Sequence, residues 1–158
     1  ASIIEGYWGQ PEATKEAFDG DWLRTGDVGY IDAEGYVYII DRIKDLVIRG
    51  GENISTAEVE AVLNEHTDVI EVAVYALPDE RYGEEVGATI YSKGSPDEED
   101  LRNFLQTRVA QFKIPRYVEI TNQPLPRLAS GKINKRDLKL KARKKFLAED
   151  FSNSTVRL

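Results

Sequence analysis

A lysine on a short, flexible turn of this sequence could take part in catalysis. Lys132 follows the pair Ser130–Gly131 in the stretch PLPRLASGKINKRDLK, residues 124–139, whose two prolines stiffen its start. A basic segment with helical character comes directly after it. By residue type Lys132 has three possible roles, as a catalyst, a phosphate clamp or an ordinary surface charge, and the last is the most common for such a lysine.

Two further stretches carry groups suited to ligand binding. Asp27 in Thr-Gly-Asp can accept hydrogen bonds from vicinal hydroxyls, or it can satisfy nearby backbone N–H groups in a turn. Arg42 offers a planar guanidinium to ribose or phosphate oxygens, or it can pair with a neighbouring aspartate at the surface. The glycines at 50 and 51 allow close approach of the backbone to a ligand, and they also suit a simple hairpin turn.

The composition narrows the class of protein. The chain has 158 residues, 41% of them hydrophobic and 31% charged, which is typical of a soluble globular protein. Its net charge of −7 argues against a general nucleic-acid binder. Without cysteine there is no disulfide, thiolate metal site or cysteine nucleophile, and with His66 as the single histidine we expect no metal site in this chain.

Hydropathy and the N-terminal sequence bear on location. No run of about 18 apolar residues is present, so the sequence predicts no transmembrane segment. The first residues lack the basic start and apolar core of a secretory signal. We therefore expect a cytoplasmic protein.

Local patterns predict a strand-rich first part and an α+β second part. A short helix near Pro11 precedes a hairpin around the turn Asp-Ala-Glu-Gly, and a shorter hairpin turns on Gly50 and Gly51. From residue 55 the predicted order is helix, strand, strand, helix, strand, helix, with the last helix over 134 to about 148. This order predicts a three-stranded sheet flanked by helices, plus the shorter hairpin.

Two helix starts carry capping signals. Ser55 and Glu58 match the Ser-x-x-Glu capping box. In SPDEEDLRNFLQTRV, Ser95 is predicted to be the N-cap and Pro96 the first helical residue, with acidic residues in the first turn.

Three stretches together resemble one known family. WLRTGDVGYIDAEGYVYIIDRIKDLVIRGGENIS is followed by a capped helix and, much later, by PLPRLASGKINK. In this order, with Asp27 and Asp41 separated by 14 residues, they are similar to the C-terminal part of the adenylate-forming (AMP-binding) superfamily. That superfamily includes acyl-CoA synthetases, peptide-synthetase adenylation domains and beetle luciferases. The resemblance covers nearly the whole chain, and GGENIS favours the acyl-CoA synthetase or fatty-acid–CoA ligase branch.

The resemblance implies a domain division and nucleotide contacts. Residues 1–43 resemble the tail end of the large N-terminal adenylation domain, and residues 44–158 resemble the mobile C-terminal domain. Lys132 stands where the family keeps the lysine that catalyses adenylation. Asp27 and Arg42 stand where it binds the nucleotide, with the aspartate on the AMP ribose.

The resemblance also implies a moving segment. Lys44 falls at the family's hinge, where backbone rotation swings the C-terminal domain between two catalytic orientations. Gly50 and Gly51 fall in the segment that lines the CoA pantetheine tunnel after that rotation, and Asn53 is a possible further site residue. The loop PDERYGEEVGA also matches the family, and we interpret it as structural.

The implied substrates are a small-molecule carboxylate, ATP and CoA, with AMP as the bound product. The family's phosphate loop, its acyl pocket and its expected Mg²⁺ site would lie in a missing N-terminal domain, so we expect this chain to be inactive alone. The alternatives are a non-catalytic binding or regulatory module, or one subunit of a split adenylating enzyme. The basic run from Lys132 to Lys145 suggests RNA or membrane binding, but a solvated helix face explains it better, and we expect no nucleic-acid partner.

Overall fold

The computed structural model describes residues 3–94 and 96–154. It divides the chain into two compact units, with the boundary between Lys44 and Asp45. Each unit has its own secondary structure.

The first unit contains one helix and two small hairpins. Its elements are α1 (Pro11–Ala17), β1 (Phe18–Asp19), β2 (Trp22–Leu23), β3 (Asp27–Ile31) and β4 (Val37–Arg42). Strands β3 and β4 form the predicted antiparallel hairpin. None of the residues from 3 to 44 is buried, and large apolar side chains of β3 and β4 are exposed.

The β3–β4 hairpin depends on its turn and on one glycine. Asp32 Oδ1 accepts hydrogen bonds from the backbone N–H groups of Tyr36 and Glu34, each at 2.9 Å. These bonds, the first from Tyr36, hold the pKa of Asp32 below its ordinary value. At Gly29 a Cβ atom would lie 2.4 Å from the carbonyl oxygen of Tyr38, so only glycine fits between the strands there.

The second unit is a layered α+β structure. Its elements are β5 (Val47–Arg49), β6 (Glu52–Ile54), α2 (Thr56–Leu63), β7 (Val69–Asp79), β8 (Gly83–Ser92), α3 (Glu98–Gln106), β9 (Tyr117–Thr121) and α4 (Lys135–Ser154). Strand β8 pairs antiparallel with β7 and parallel with β9. The predicted three-stranded sheet flanked by helices is therefore confirmed. The β5–β6 hairpin joins this sheet where Arg49 pairs with Gly83 of β8.

Both faces of the sheet are covered, so the central residues of β7 and β8 are buried without interruption. One face packs on α2 and α3 through a cluster that includes Val59, Leu63, Val72, Val74, Val86, Ile90, Leu101 and Leu105. The other face packs on α4 through a cluster of Ala73, Tyr75, Leu77, Tyr117, Leu125, Leu138 and Ala142. Alternate residues of β7 thus enter opposite layers, as the period of a strand requires.

The helix ends agree with the sequence in one case and differ in others. Ser55 caps α2, and its Oγ accepts a hydrogen bond from the N–H of Glu58 at 3.2 Å. Helix α3 begins at Glu98 with Asp97 as its N-cap, so the prediction of Pro96 as the first helical residue is wrong. The predicted cap Ser95 lies outside the described residues. The stretch offers two good capping side chains, and the one nearer the apolar positions is used.

Helix α4 continues to Ser154, beyond the predicted end near residue 148. Leu147, Ala148 and Glu149 are good helix formers and favour continuation of the helix past the predicted end. Among the described residues, no helix combines the length and the apolar character needed to cross a bilayer.

A buried pair of hydroxyl groups, on Tyr75 and Thr89, is predicted to make the stability of the fold decrease at high pH. The hydroxyl of Tyr75 lies 2.7 Å from Thr89 Oγ1, and burial raises the pKa of Tyr75 to about 12. We expect Tyr75→Phe to lower the free energy of unfolding by about 1–2 kcal/mol, because the buried Thr89 hydroxyl loses this partner. The measurement is urea unfolding followed by circular dichroism at neutral pH.

The pH dependence has a defined sign. The unfolded tyrosine ionises near pH 10 and the folded one only near pH 12, so wild-type stability should fall as the pH rises through that window. In Tyr75→Phe the free energy of unfolding should decrease less over this pH range than in the wild type. Tyr36→Phe, at an exposed tyrosine, should show the same decrease as the wild type. Equal alkaline slopes in all three proteins would contradict the assignment.

Candidate functional site

Lys132 lies at the end of an exposed turn directly ahead of α4. An isolated antiparallel bridge joins Arg127 to Ile133 across the base of this turn. Within it, Leu128 N–H donates to the Lys132 carbonyl at 2.8 Å, and Gly131, with φ +83°, donates to the Leu128 carbonyl at 2.9 Å. The Lys132 side chain is exposed, and its ammonium has no salt-bridge partner among the described residues. The turn thus presents a free cation to solvent.

A second lysine three positions later is used differently. The ammonium of Lys135 lies 2.7 Å from Glu60 Oε1 and donates to Thr56 Oγ1 at 3.2 Å. Glu60 Oε1 also accepts from the N–H of Val74 in β7 at 2.7 Å. Lys135 therefore ties the start of α4 to α2 and to the sheet, whereas Lys132 remains available.

Asp27 and Arg42 are cross-strand neighbours in the first unit. They occupy paired positions of β3 and β4, and Arg42 Nε lies 3.2 Å from Asp27 Oδ1. The partner of Arg42 is thus Asp27, while Asp41 Oδ1 accepts from the backbone N–H of Arg42 at 2.8 Å. The Arg42 side chain keeps 53% of its exposure, so the ion pair leaves the guanidinium accessible to a ligand.

Gly50 and Gly51 form the two-residue turn between β5 and β6. Their φ angles of +59° and +93° satisfy the requirement of a tight hairpin for two positive φ values. The N–H of Gly50 donates to the carbonyl of Tyr82 at 2.9 Å, and a Cβ at Gly50 would lie 3.2 Å from the Tyr82 ring. At Gly51 a Cβ would meet nothing within 4 Å, so this glycine faces open space.

The two remaining predicted residues lie within this hairpin and shortly before it in sequence. Asn53 pairs with Ile48 across the hairpin and is exposed. Lys44 is exposed in a short 3₁₀ turn, Ile43–Asp45, at the boundary between the two units. The predicted residues therefore fall into four places: a pair in the first unit, Lys44 at the boundary between the units, a hairpin at the start of the second unit, and the Lys132 turn.

The structure adds a basic pocket that the sequence interpretation missed. A depression of about 400 Å³ in the second unit is lined by Arg49, Arg81, Tyr82, Glu85, Arg102, Gln106, Gln111, Phe112, Ile114 and Arg116. The pocket adjoins the glycine turn. Its lining residue Arg49 directly precedes Gly50, and the carbonyl of its lining residue Tyr82 accepts the hydrogen bond from the Gly50 N–H.

The charges of the pocket are partly compensated. Arg49 Nε lies 2.6 Å from the buried Glu85, and this hydrogen bond raises the pKa of Arg49. Arg102 pairs with Glu98, and Arg116 pairs with Asp79. Arg81 lies over the Tyr82 ring at 5.0 Å and has no salt-bridge partner in the part of the chain that the structure describes. One guanidinium is thus left to meet an anion.

Arg81 and Tyr82 belong to the loop PDERYGEEVGA, which we interpreted as structural. The arginine beside an aromatic residue was the available signal. Arg102 and Arg116 carried none, because only the fold brings them to the pocket.

Comparison with known proteins agrees with the architecture. The profile of the AMP-binding enzyme C-terminal domain matches residues 58–132. The chain is 44% identical over 137 residues to the oxalate–CoA ligase of Arabidopsis thaliana, covering 85% of this chain and 26% of the relative. It is 46% identical over 134 residues to the long-chain-fatty-acid–CoA ligase FadD13 of Mycobacterium tuberculosis, covering 84% of this chain and 26% of that protein.

A solved structure shows the same fold. The crystal structure of ATP-bound MatB from Rhodopseudomonas palustris superposes with a TM-score of 0.81 at 37% identity, over 89% of this chain and 28% of that one. This chain thus spans about a quarter of the length of the curated relatives. It belongs to the AMP-binding, adenylate-forming family and carries the family's C-terminal domain.

The buried carboxylate of Glu85 yields a testable prediction for the pocket. Glu85 Oε1 accepts from Arg49 and from the backbone N–H of Val86 at 3.0 Å. Glu85→Gln keeps the shape but removes the charge that Arg49 meets, so we expect the free energy of unfolding to fall by about 1–3 kcal/mol. Glu84→Gln is the matched control, because its amide oxygen can still accept from Ile48 N–H. Urea denaturation measures both, and equal losses would contradict a special role of the buried pair.

Proposed function

We propose that the chain is the C-terminal part of an ATP-dependent acyl-CoA synthetase. The reaction joins a carboxylate to ATP, giving acyl-AMP and pyrophosphate, and then transfers the acyl group to the thiol of CoA with release of AMP. The observation that carries the proposal is the exposed, unpaired Lys132 on its turn, in a domain of the AMP-binding family. The proposal includes a large N-terminal domain that holds the expected Mg²⁺ site and the acyl pocket. It also includes a cytoplasmic location of the protein.

Lys132 acts in the first half-reaction. As a carboxylate oxygen attacks the α-phosphorus of ATP, negative charge develops on phosphate oxygens and pyrophosphate departs. A cation on a flexible stem that meets both the carboxylate and the α-phosphate brings the two anions together and stabilises that charge. The free ammonium of Lys132 suits this task, whereas that of Lys135 is held by Glu60.

Asp27 and Arg42 hold the nucleotide. The guanidinium lies against Oδ1 of Asp27, so Oδ2 is left to accept a hydrogen bond from a ribose hydroxyl. The exposed part of Arg42 can then donate to a ribose or phosphate oxygen. The ion pair thus orients the carboxylate for its ligand.

The second half-reaction uses the glycine hairpin. A backbone rotation at Lys44 brings Gly50 and Gly51 to the pantetheine arm, and Asn53 accompanies them. The open space around Gly51 and the position of Lys44 at the unit boundary support this assignment. The adjoining arginine pocket has the charge and size for a phosphate group, so we assign it to the nucleotide end of CoA.

Lys132→Ala is expected to separate the two half-reactions. In a chimera that joins this chain to the N-terminal part of FadD13, it should lower adenylate formation by about 100- to 1,000-fold, since a charge that stabilises the transition state is lost. Thioester formation from supplied acyl-AMP should be nearly unchanged. ATP–pyrophosphate exchange and CoA thioester release measure the two steps, with Lys141→Ala as an exposed-lysine control.

Gly51→Val in the same chimera should lower thioester formation and leave adenylate formation nearly unchanged, because the valine side chain would narrow the pantetheine path.

Equal loss of both half-reactions in Lys132→Ala would contradict the role of this lysine. Pyrophosphate exchange by the 158-residue chain alone would overturn its assignment as an incomplete part.

The pocket assignment predicts binding of adenosine 3′,5′-bisphosphate, the nucleotide end of CoA, to the 158-residue chain. Arg81→Ala should weaken this binding about tenfold or more, because a hydrogen bond to a charged group contributes about 1.5–3 kcal/mol. Arg24→Ala, at an exposed ion pair of the first unit, should not. Amide chemical-shift titration locates the ligand. If the amide signals of the pocket residues do not shift at a saturating concentration of adenosine 3′,5′-bisphosphate, CoA binding at the pocket would be contradicted. That result would favour a carrier-protein acceptor.

A further inference from the structure

The turn that carries Lys132 has little packing of its own. Every residue from 127 to 132 is exposed, and a Cβ at Gly131 would meet no atom within 4 Å. Buried Leu125 anchors the chain before the turn, and Leu138 anchors it afterwards. Neither contact fixes the orientation of the peptide groups beside the lysine.

A chain of polar contacts connects this turn to the sheet. Glu71 in β7 accepts a hydrogen bond from the N–H of Leu125 through Oε2 at 2.9 Å, and its Oε1 pairs with Nη2 of Arg127. Nη1 of the same guanidinium donates to the carbonyl oxygen of Gly131 at 2.7 Å. The two arms of one arginine thus join a carboxylate on the sheet to the peptide group that precedes Lys132.

The Gly131 carbonyl belongs to the peptide plane whose nitrogen is that of Lys132. Fixing this plane restricts the direction in which the lysine side chain leaves the backbone, since a peptide group is rigid. The N–H of Gly131 also donates to the Leu128 carbonyl at 2.9 Å, but a glycine with φ +83° has no side chain to restrict its conformation further. The N–H of Leu125, helped by Arg127, holds the pKa of Glu71 below its ordinary value, so this carboxylate stays charged at neutral pH.

We propose that Glu71 and Arg127 are positioning residues that orient Lys132 for the adenylation half-reaction. This inference rests on the proposed function of Lys132 and adds the means by which an exposed turn delivers its ammonium with a defined geometry. A forked guanidinium is required, because a single ammonium at 127 cannot hold two separate acceptors in fixed directions.

The chain offers a matched control. Lys145 and Glu119 form a second ion pair from a largely exposed cation to a carboxylate of the sheet, in β9, with side-chain exposures of 47% and 30%. The corresponding values for Arg127 and Glu71 are 49% and 18%. Glu119→Gln therefore reproduces the loss of an ion pair of this kind, at a residue that belongs neither to the Lys132 turn nor to the lining of the arginine pocket.

The first measurement uses the 158-residue chain and does not depend on catalysis. Backbone ¹⁵N relaxation should give an order parameter near 0.85 at Gly131 and Lys132 in the wild type. In Glu71→Gln and in Arg127→Lys it should fall below about 0.6, and in Glu119→Gln it should not change. Unchanged order at Gly131 in both variants would overturn the proposal.

The second measurement uses the FadD13 chimera. Arg127→Lys and Glu71→Gln should lower kcat for adenylate formation about 10- to 100-fold, because misplacement of a catalytic group by about 1 Å has effects of this size. KM for ATP and thioester formation from acyl-AMP should stay near wild type. Equal loss of both half-reactions, or the same loss in Glu119→Gln, would show a merely structural ion pair and overturn the proposal.

The two proposals fail in different ways. If Lys132→Ala leaves adenylation intact, the function assigned to the lysine fails, and the relaxation data alone decide whether Glu71 and Arg127 order the turn. If Lys132→Ala abolishes adenylation but Arg127→Lys does not lower it, the positioning role fails and the function stands.

Discussion

The antiparallel pairing of β7 with β8 is the constraint on which the second unit depends. It runs from Val69 opposite Ser92 to Asp79 opposite Gly83. Helices α2 and α3 pack on one face of this ladder and α4 on the other, while β9 and the glycine hairpin are bonded to β8. Because the ladder is buried on both faces, its register cannot slip without placing polar atoms in a core. Each turn that leaves the sheet therefore starts from a fixed point.

Local signals in the sequence were sufficient for most of this fold. The Asp-Ala-Glu-Gly turn and the glycine pair each specify a tight reversal through their backbone requirements, and Ser55 starts α2 through a short-range hydrogen bond. Such signals depend on a few adjacent residues, so one sequence reveals them. The start of α3 was misplaced because two capping side chains stand close together, and local preference does not choose between them.

The contacts that organise the candidate site were not accessible in this way. Arg49 meets Glu85 36 residues away, and Arg127 meets Glu71 56 residues away. A chain with 28 acidic and 21 basic residues offers many such pairs, and strand order alone selects among them. The same holds for the two lysines 132 and 135, which look alike in sequence. Only the position of Glu60 separates an anchored ammonium from a free one.

The ladder also bears on how such a domain would move. Glu71, which holds the Lys132 turn, pairs with Tyr91 near one end of the ladder, and Gly83, which receives the glycine hairpin, pairs with Asp79 at the other. From position 71 to 79 a strand extends about 26 Å. The contacts that attach the Lys132 turn and the glycine hairpin to the ladder are therefore well separated along it. Under the proposed function the unit reorients between the half-reactions, and the exposed 3₁₀ turn at Lys44 is the segment placed to absorb that rotation.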